Sequence, residues 1–288
     1  VIIEVFENLL NSLDGEGRER YGDAWVGLVG ERLEQLRSDY NELTDPGRTI
    51  IDYGDLATQA AYVYAYGVGR AFFTYELLKK HRKELEEPIF SADVARVTSL
   101  GGGPGSELAG LVMYLLDESS GESVESIKYW VLDKDSEWEH PCQALIDDLS
   151  NHLPIKLIYD ELDLANQKEC KAISLEGDDL LILSFVISEL CALEDKNEIL
   201  EGLRHLYGTM DSGSYIFYND SNAYSFYKFF NDSKTFVKGF GRASQVNEVI
   251  EEIAFKEELG GTYSSYSCAY DATPHTTSDA LSKFLRRV

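Results

Sequence analysis

Val97-Thr98-Ser99-Leu100-Gly101-Gly102-Gly103-Pro104-Gly105-Ser106-Glu107 is the stretch on which the fold turns. Residues 94–100 make an apolar run of strand length, and residues 108–116 make an apolar run long enough for a helix, so the glycines fall at a strand-to-helix turn. Glycine at such a turn lets the backbone come close to a ligand, and the free amides of the following helix favour a negative group. The spacing excludes two phosphate-binding turns. In G-x-G-x-x-G the last glycine would fall on Ser106 counting from Gly101, or on Leu108 counting from Gly103. No Lys followed by Ser or Thr closes the segment, so it is not a P-loop. Taken alone, the turn also suits tight packing with no ligand.

Upstream, the chain reads as helices. Ile2, Val5, Phe6, Leu9, Leu10 and Leu13 recur at helical spacing, and Trp25, Leu28, Val29, Leu33 and Leu36 repeat the pattern. Asp45, Pro46 and Gly47 break it. A third segment, residues 55–85, is rich in aromatics. On it Tyr62, Tyr66, Arg70 and Phe73 share one face. Downstream, short apolar runs at 94–100, 127–132, 155–159, 180–186 and 214–218 alternate with helical stretches, the signature of βα units. Residues 262–270 alternate in the manner of a strand, with 235–240 as a partner. The expected fold is α/β: a doubly wound, Rossmann-like, seven-stranded sheet, mostly parallel with an antiparallel C-terminal hairpin, plus an N-terminal helical extension. Residues 1–90 are read as that extension and lid, and residues 91–288 as the ligand-binding domain.

Composition limits the partners. The 288 residues are 44% hydrophobic and 12% aromatic, enough for a sizeable core. No apolar run reaches the roughly 18 residues of a membrane span, and Glu4 and Glu7 stand where a signal peptide is basic, so a soluble intracellular protein, cytoplasmic or nuclear, is expected. The net charge of −25 repels phosphate backbones and disfavours nucleic acid as a partner unless a basic subunit assists. Lys79, Lys80, Arg82 and Lys83, with His81 among them, form the tight basic cluster, read as a solvated last helical turn. Cys142, Cys170, Cys191 and Cys268 match neither zinc-ligand spacing nor a disulfide framework, so no metal is expected. His205 is the histidine expected nearest the sheet, as a core or surface residue or as a base.

The segment from Leu100 to Gly105 resembles motif I of the class I S-adenosylmethionine-dependent methyltransferases, a Leu-Gly-x-Gly-x-Gly turn that wraps the methionine part of the cofactor. The resemblance spans about residues 94–270. It implies that Gly101, Gly102, Gly103, Pro104 and Gly105 hold S-adenosylmethionine. It also implies that Asp133, ending the second strand, accepts hydrogen bonds from the ribose hydroxyls, which a two-oxygen carboxylate suits. Asp160 and Leu162, in the run Asp160-Glu161-Leu162-Asp163, resemble the adenine corner. Ser184 and Phe185, in the fourth strand's exit, resemble the motif IV wall of the methyl-transfer pocket. Asp133 is alternatively a helix N-cap. Two departures stand out: Ser99 occupies the position before Leu-Gly where many relatives carry an acid, leaving Glu107 or a carbonyl to share that role. The interval from Gly105 to Asp133 also exceeds the roughly 20 residues of dinucleotide units, and the polar stretch 118–126 is read as a surface loop that absorbs the excess.

Methyl transfer needs alignment of the acceptor and removal of water, and a base only when the acceptor must lose a proton, so no catalytic residue is assigned. The Asn/Asp-Pro-Pro-Tyr/Phe motif of amino methyltransferases acting on adenine, cytosine or glutamine is absent at 184–187. Tyr62, Tyr66 and Arg70 are candidate acceptor contacts, through an aromatic face that covers the cofactor or holds a planar or cationic group, or else they pack on the sheet. Three functions follow: a methyltransferase acting on a protein or small molecule, an RNA methyltransferase with a basic partner, and an inactive binding module on the same fold.

Overall fold

Valine, isoleucine and leucine crowd the central strands because those strands are buried on both faces, the condition of a parallel sheet covered by helices. The computed structural model describes residues 1–42, 45, 51–83, 85, 87–234, 240–250, 259, 262–275 and 278–287. Strands β1 Val94–Leu100, β2 Ser126–Asp133, β3 Ile155–Glu161, β4 Leu180–Ser184 and β5 Tyr215–Ser221 run parallel in the order β3-β2-β1-β4-β5. Beyond β5 the sheet continues with an antiparallel hairpin of β6 Phe240–Ile250 and β7 Ser278–Arg287, β7 lying next to β5. Along β4, Leu180 and Ile182 enter one core while Leu181 and Leu183 enter the other. Edge strand β3 is half exposed throughout, as a strand covered less on both faces must be.

One face is covered by the N-terminal helices α1 Ile2–Tyr21, α2 Trp25–Asn41, α3 Leu56–Tyr62 and α4 Val68–Arg82, together with α5 Ser106–Leu116 and α6 Glu139–Leu149. The opposite face is covered by α7 Gln167–Ala172, α8 Ile187–Leu190, α9 Lys196–Thr209 and α10 Tyr224–Lys234. Helices α3 and α4 are joined through a π-helical turn, Val63–Gly67. The first helix buries Ile2, Val5, Phe6, Leu9, Leu10 and Leu13, each at 3% exposure or less. Burial of such side chains stabilises by roughly 1.5–3 kcal/mol apiece. That stripe docks α1 in the same core as Val97, Ile182 and Phe217 of the sheet. Close packing of α4 on α5 depends on Gly110, where a Cβ would overlap the Ala71 carbonyl and the Thr74 side chain.

Three expectations change. Residues 262–270 form helix α11, Thr262–Tyr270, not a strand. Tyr263, Tyr266 and Tyr270 are spaced for one helical face, and Tyr64 packs against all three rings, so the 3.6-residue period prevails over the alternation. The hairpin is therefore β6 with β7, while Pro46, Gly47 and residues 235–239 lie outside the described residues. Strand β4 ends at Ser184, before the expected 186, because Phe185 turns to φ 56°. His205, on α9, places Nε2 3.2 Å from the Ile173 carbonyl, whereas His81 is the histidine sealed against the sheet, with Nε2 2.8 Å from the Ser282 hydroxyl. The basic turn is partly tied down: Lys79 donates to the Tyr75 hydroxyl and pairs with Asp117 at 3.1 Å, and Arg82 donates to the Ser120 and Leu85 carbonyls.

Candidate functional site

In this topology β2 and β3 lie on one side of β1 while β4 and β5 lie on the other, so the chain reverses direction between β1 and β4. The C-terminal ends of those two strands are where open α/β sheets bind ligands. The glycine turn leaves β1 there, and Gly101, Gly103 and Gly105 adopt φ 63°, 47° and 85°. The space is also small. A Cβ on Gly101 would stand 2.8 Å from Val186 Cγ2, and one on Gly102 would stand 2.9 Å from Ser99 Cβ. The Gly101 N–H donates to the Leu132 carbonyl at 2.8 Å, tying the turn to the end of β2.

Asp133 completes that tie. Its Oδ2 accepts the Gly103 N–H at 2.8 Å, and its Oδ1 accepts the Asp135 N–H at 3.0 Å, an Asx-turn geometry. Asp133 therefore clamps the loop and caps no helix. Burial raises its pKa, while the amides of Asp135 and Gly103 lower it. Asp135 is half-buried, with Oδ2 shielded from solvent and without a hydrogen-bond partner; Lys134 Nζ stands 3.9 Å away. Burial pushes the Asp135 carboxyl up to about 6.

A cavity of about 280 Å³ opens between these elements. Its floor is Gly101, Gly102, Gly103 and Pro104, with Asp133, Lys134 and Asp135 on the β2 side. Leu162, Asp163, Leu164 and Ala165, following β3, form another side. Ser184, Phe185 and Val186 follow β4, and Glu189 and Leu190 come from α8. Glu107, in the first turn of α5, also lines the cavity at 7% exposure, and burial raises its pKa against the Ser184 hydroxyl and the Arg70 cation. Phe185 holds its φ of 56° through its N–H bond to the Asn219 carbonyl at 2.8 Å and through the Ser188 hydroxyl on its own carbonyl at 3.1 Å. Arg70 lies over the Phe185 ring from behind.

The N-terminal helices and the segment after α2 close the cavity with rings. Tyr53, Tyr62 and Trp138 have centroids 5.5, 5.7 and 5.9 Å apart and planes inclined by 82°, 66° and 43°. Tyr40 joins them through a 3.1 Å contact between its hydroxyl and that of Tyr53, and the Tyr53 hydroxyl donates to Glu189 Oε1 at 3.1 Å.

Of the residues singled out in the sequence, the cavity brings together Gly101, Gly102, Gly103, Pro104, Asp133, Leu162, Ser184, Phe185 and Tyr62. Gly105 stands behind the turn at the start of α5. Asp160 is exposed and accepts from Trp130 Nε1 at 2.8 Å, so Asp163 is the acid of that corner that reaches the cavity. Tyr66 and Arg70 lie behind the lining. Ser99 is turned inward, accepting from the Tyr129 hydroxyl at 2.8 Å. The sequence reasoning missed Tyr40, Tyr53, Trp138, Asp135 and Glu189. Asp135 and Trp138 had a signal, since they follow Asp133 in the same short loop. Among the described residues no cluster of His, Cys, Asp or Glu could hold a metal ion, and no helix is long and apolar enough to cross a membrane.

No family model matches the sequence, and no curated protein matches it. Solved structures are similar at low identity. An O-methyltransferase family protein from Burkholderia thailandensis is 13% identical, with 96% of this chain and 82% of that one covered and a TM-score of 0.44. An S-adenosylmethionine-dependent methyltransferase from Aquifex aeolicus is 13% identical over 76% of this chain and 92% of that one, with a TM-score of 0.43. Loganic acid methyltransferase with SAH is 7% identical over 83% of this chain and 98% of that one, with a TM-score of 0.48. Likeness of that degree leaves the function to be argued from the site itself.

Proposed function

We propose that the chain is an S-adenosylmethionine-dependent methyltransferase whose acceptor is a protein or a small molecule. The observation that carries this reading is one cavity, at the point where the strand order reverses, in which a cramped glycine turn faces Asp133 at the end of β2 and Asp135 in the loop that follows. The residues present fit such a cofactor. The turn leaves no room for a side chain at Gly101 or Gly102, which suits a methionine moiety lying along bare backbone. Asp135, which lines the cavity, and the remaining lone pairs of Asp133 suit the two hydroxyls of a ribose. Glu107, on the cavity wall, supplies the acid that Ser99 does not and is placed to meet an ammonium group.

When bound, the cofactor supplies an electrophilic methyl group on a sulfonium. The chain's own part is alignment and exclusion of water. Phe185 and Val186 wall the cavity beside the glycine turn, and the aromatic rings of Tyr53, Tyr62 and Trp138 close it from the N-terminal side. In this reading residues 1–90 act as the lid and residues 91–288 carry the cofactor. An RNA acceptor is disfavoured by the five carboxylates of the lining, Glu107, Asp133, Asp135, Asp163 and Glu189, and would need a basic partner.

Calorimetric titration with S-adenosylmethionine and S-adenosylhomocysteine tests the proposal. Binding in the micromolar range that is lost in Gly101→Ala is the expected result. A wild-type chain that binds neither compound would sink the cofactor reading and leave the fold without its enzyme.

A further inference from the structure

We infer that the acceptor group entering this cavity is a cation, an amine or alkylated ammonium, held against the corner formed by Tyr53, Tyr62 and Trp138. The inference rests on the cofactor reading above and names the class of acceptor that the same site takes.

Two independent features of the cavity lead there. The first is its charge. The five lining carboxylates face one lining cation, Lys134, with Arg70 as a second cation behind Phe185. A bound cofactor of net charge +1 still leaves the site negative. An anionic nucleophile, whether a carboxylate or an ionised hydroxyl, would enter against that field, and Lys134 is half committed to Asp135. The second feature is the shape of the aromatic wall. Three rings with centroids 5.5–5.9 Å apart pack on one another in edge-to-face and tilted contacts and line the cavity together, Tyr53 and Trp138 buried and Tyr62 the more exposed. A cation within about 6 Å of the ring centroids is attracted by each ring face. The rings come from the N-terminal segments and the loop after β2; Trp138 approaches the glycine turn, 3.8 Å from the Cβ position of Gly103, so Tyr53 and Tyr62 are the rings left to a second ligand.

Glu189 joins the two features. Its Oε1 accepts from the Tyr53 hydroxyl, which anchors the carboxylate beside the corner and orients the ring. The step balances with no co-reactant beyond the cofactor. The ammonium first gives one proton to Glu189 or to water. Its nitrogen lone pair then forms the N–C bond, the S–C bond breaks, and those electrons stay on sulfur. The positive charge thus passes from sulfur to nitrogen, and the alkylated product remains a cation suited to the same corner.

The test is calorimetric and needs no turnover. The chain saturated with S-adenosylhomocysteine is titrated with choline, with its neutral isostere 3,3-dimethylbutan-1-ol, and with the anion 3,3-dimethylbutanoate. Choline is expected to bind at least about tenfold more tightly than the neutral isostere, and the anion not at all. Glu189→Gln and Tyr62→Leu should each lower choline affinity about five- to tenfold, with a much smaller change for S-adenosylhomocysteine. Equal binding of choline and the alcohol, preference for the anion, or no binding of choline would overturn the inference. If S-adenosylhomocysteine itself fails to bind, the cofactor reading has failed, and the same three titrations of the chain alone still decide whether the corner selects cations.

Discussion

Asp133 Oδ2 accepts the Gly103 N–H at 2.8 Å, so the aspartate that ends β2 fixes the shape of the glycine turn that leaves β1. Its other oxygen holds the Asp135 N–H at 3.0 Å, and Asp135 is thereby aimed at the same cavity. The two acids are arranged in series: one builds the loop and the other is left for a ligand.

Removal of the clamp should therefore cost stability as well as affinity. Asp133→Ala leaves the buried Gly103 amide without its acceptor, and a hydrogen bond to a charged group contributes roughly 1.5–3 kcal/mol. Burial of the carboxylate offsets part of this, so a net loss of about 1–3 kcal/mol is expected. Hydrogen exchange at the Gly103 and Asp135 amides should accelerate together in the variant. Unchanged exchange at Gly103 would show that the loop holds its shape without Asp133.

Alanine at two glycines should act in opposite directions. At Gly101 the residue needs φ 63° and its Cβ would collide with Val186, so Gly101→Ala is expected to lose about 1–3 kcal/mol. Gly15 lies in the exposed interior of α1 with nothing within 4 Å of its Cβ position. There alanine should gain about 0.5–1 kcal/mol through helix propensity. Urea denaturation of both variants checks the pair, and a Gly101→Ala chain as stable as the parent would contradict the cramped turn.

What the sequence disclosed was local. The run from Val97 to Glu107 contains its strand, turn and helix within a few residues of one another, and Asp133 ends an apolar run that can only be a strand, so these were readable one segment at a time. The aromatic wall was readable only at Tyr62. Tyr40, Tyr53, Tyr62 and Trp138 come from four separate stretches and meet only when α2 and α3 pack over the end of the sheet. Asp160 and Asp163 were inseparable by composition, and the pleat of β3 decides between them by sending Asp160 to solvent beside Trp130. Residues 262–270 carried two periods at once, and contact with Tyr64 settled which one is used.

His81 should set an acid limit. Its ring is fully buried against Phe284, and burial lowers its pKa from the ordinary 6.5 to about 4. A histidine whose folded pKa is lowered binds fewer protons in the folded state than in the unfolded one, so its contribution is intact above pH 6.5 and is lost as pH falls from 6.5 to 4. At 1.36 kcal/mol per unit, the loss over that window is on the order of 3 kcal/mol. His81→Gln, which keeps a polar atom for Ser282, should flatten the stability curve between those pH values. A variant whose melting temperature falls with acid as steeply as the parent's would remove His81 from the account.

Asp135 should show the opposite sign. Its carboxyl is raised from 3.8 to about 6 by burial, so the folded state keeps the proton that the unfolded state releases. Stability is therefore lost as pH rises from about 4 to about 6, and the full cost persists above that range. Asp135→Asn removes the buried charge, and the variant should melt higher than the parent at pH 8, on the order of 2 °C, and at the same temperature at pH 4. Affinity should move the other way. Asp135 lines a cavity whose proposed ligand brings hydroxyl donors, and the amide substitution replaces half of its acceptor capacity. S-adenosylhomocysteine should bind the variant about tenfold more weakly at pH 8, the effect of roughly one charge-assisted hydrogen bond. In the parent, affinity should decline below pH 6 as the carboxyl takes its proton. Scanning calorimetry at the two pH values, paired with titration of the ligand, measures both effects on the same samples. A variant that is no more stable at pH 8 and binds equally well would mean that this carboxylate is solvated and has no part in the site.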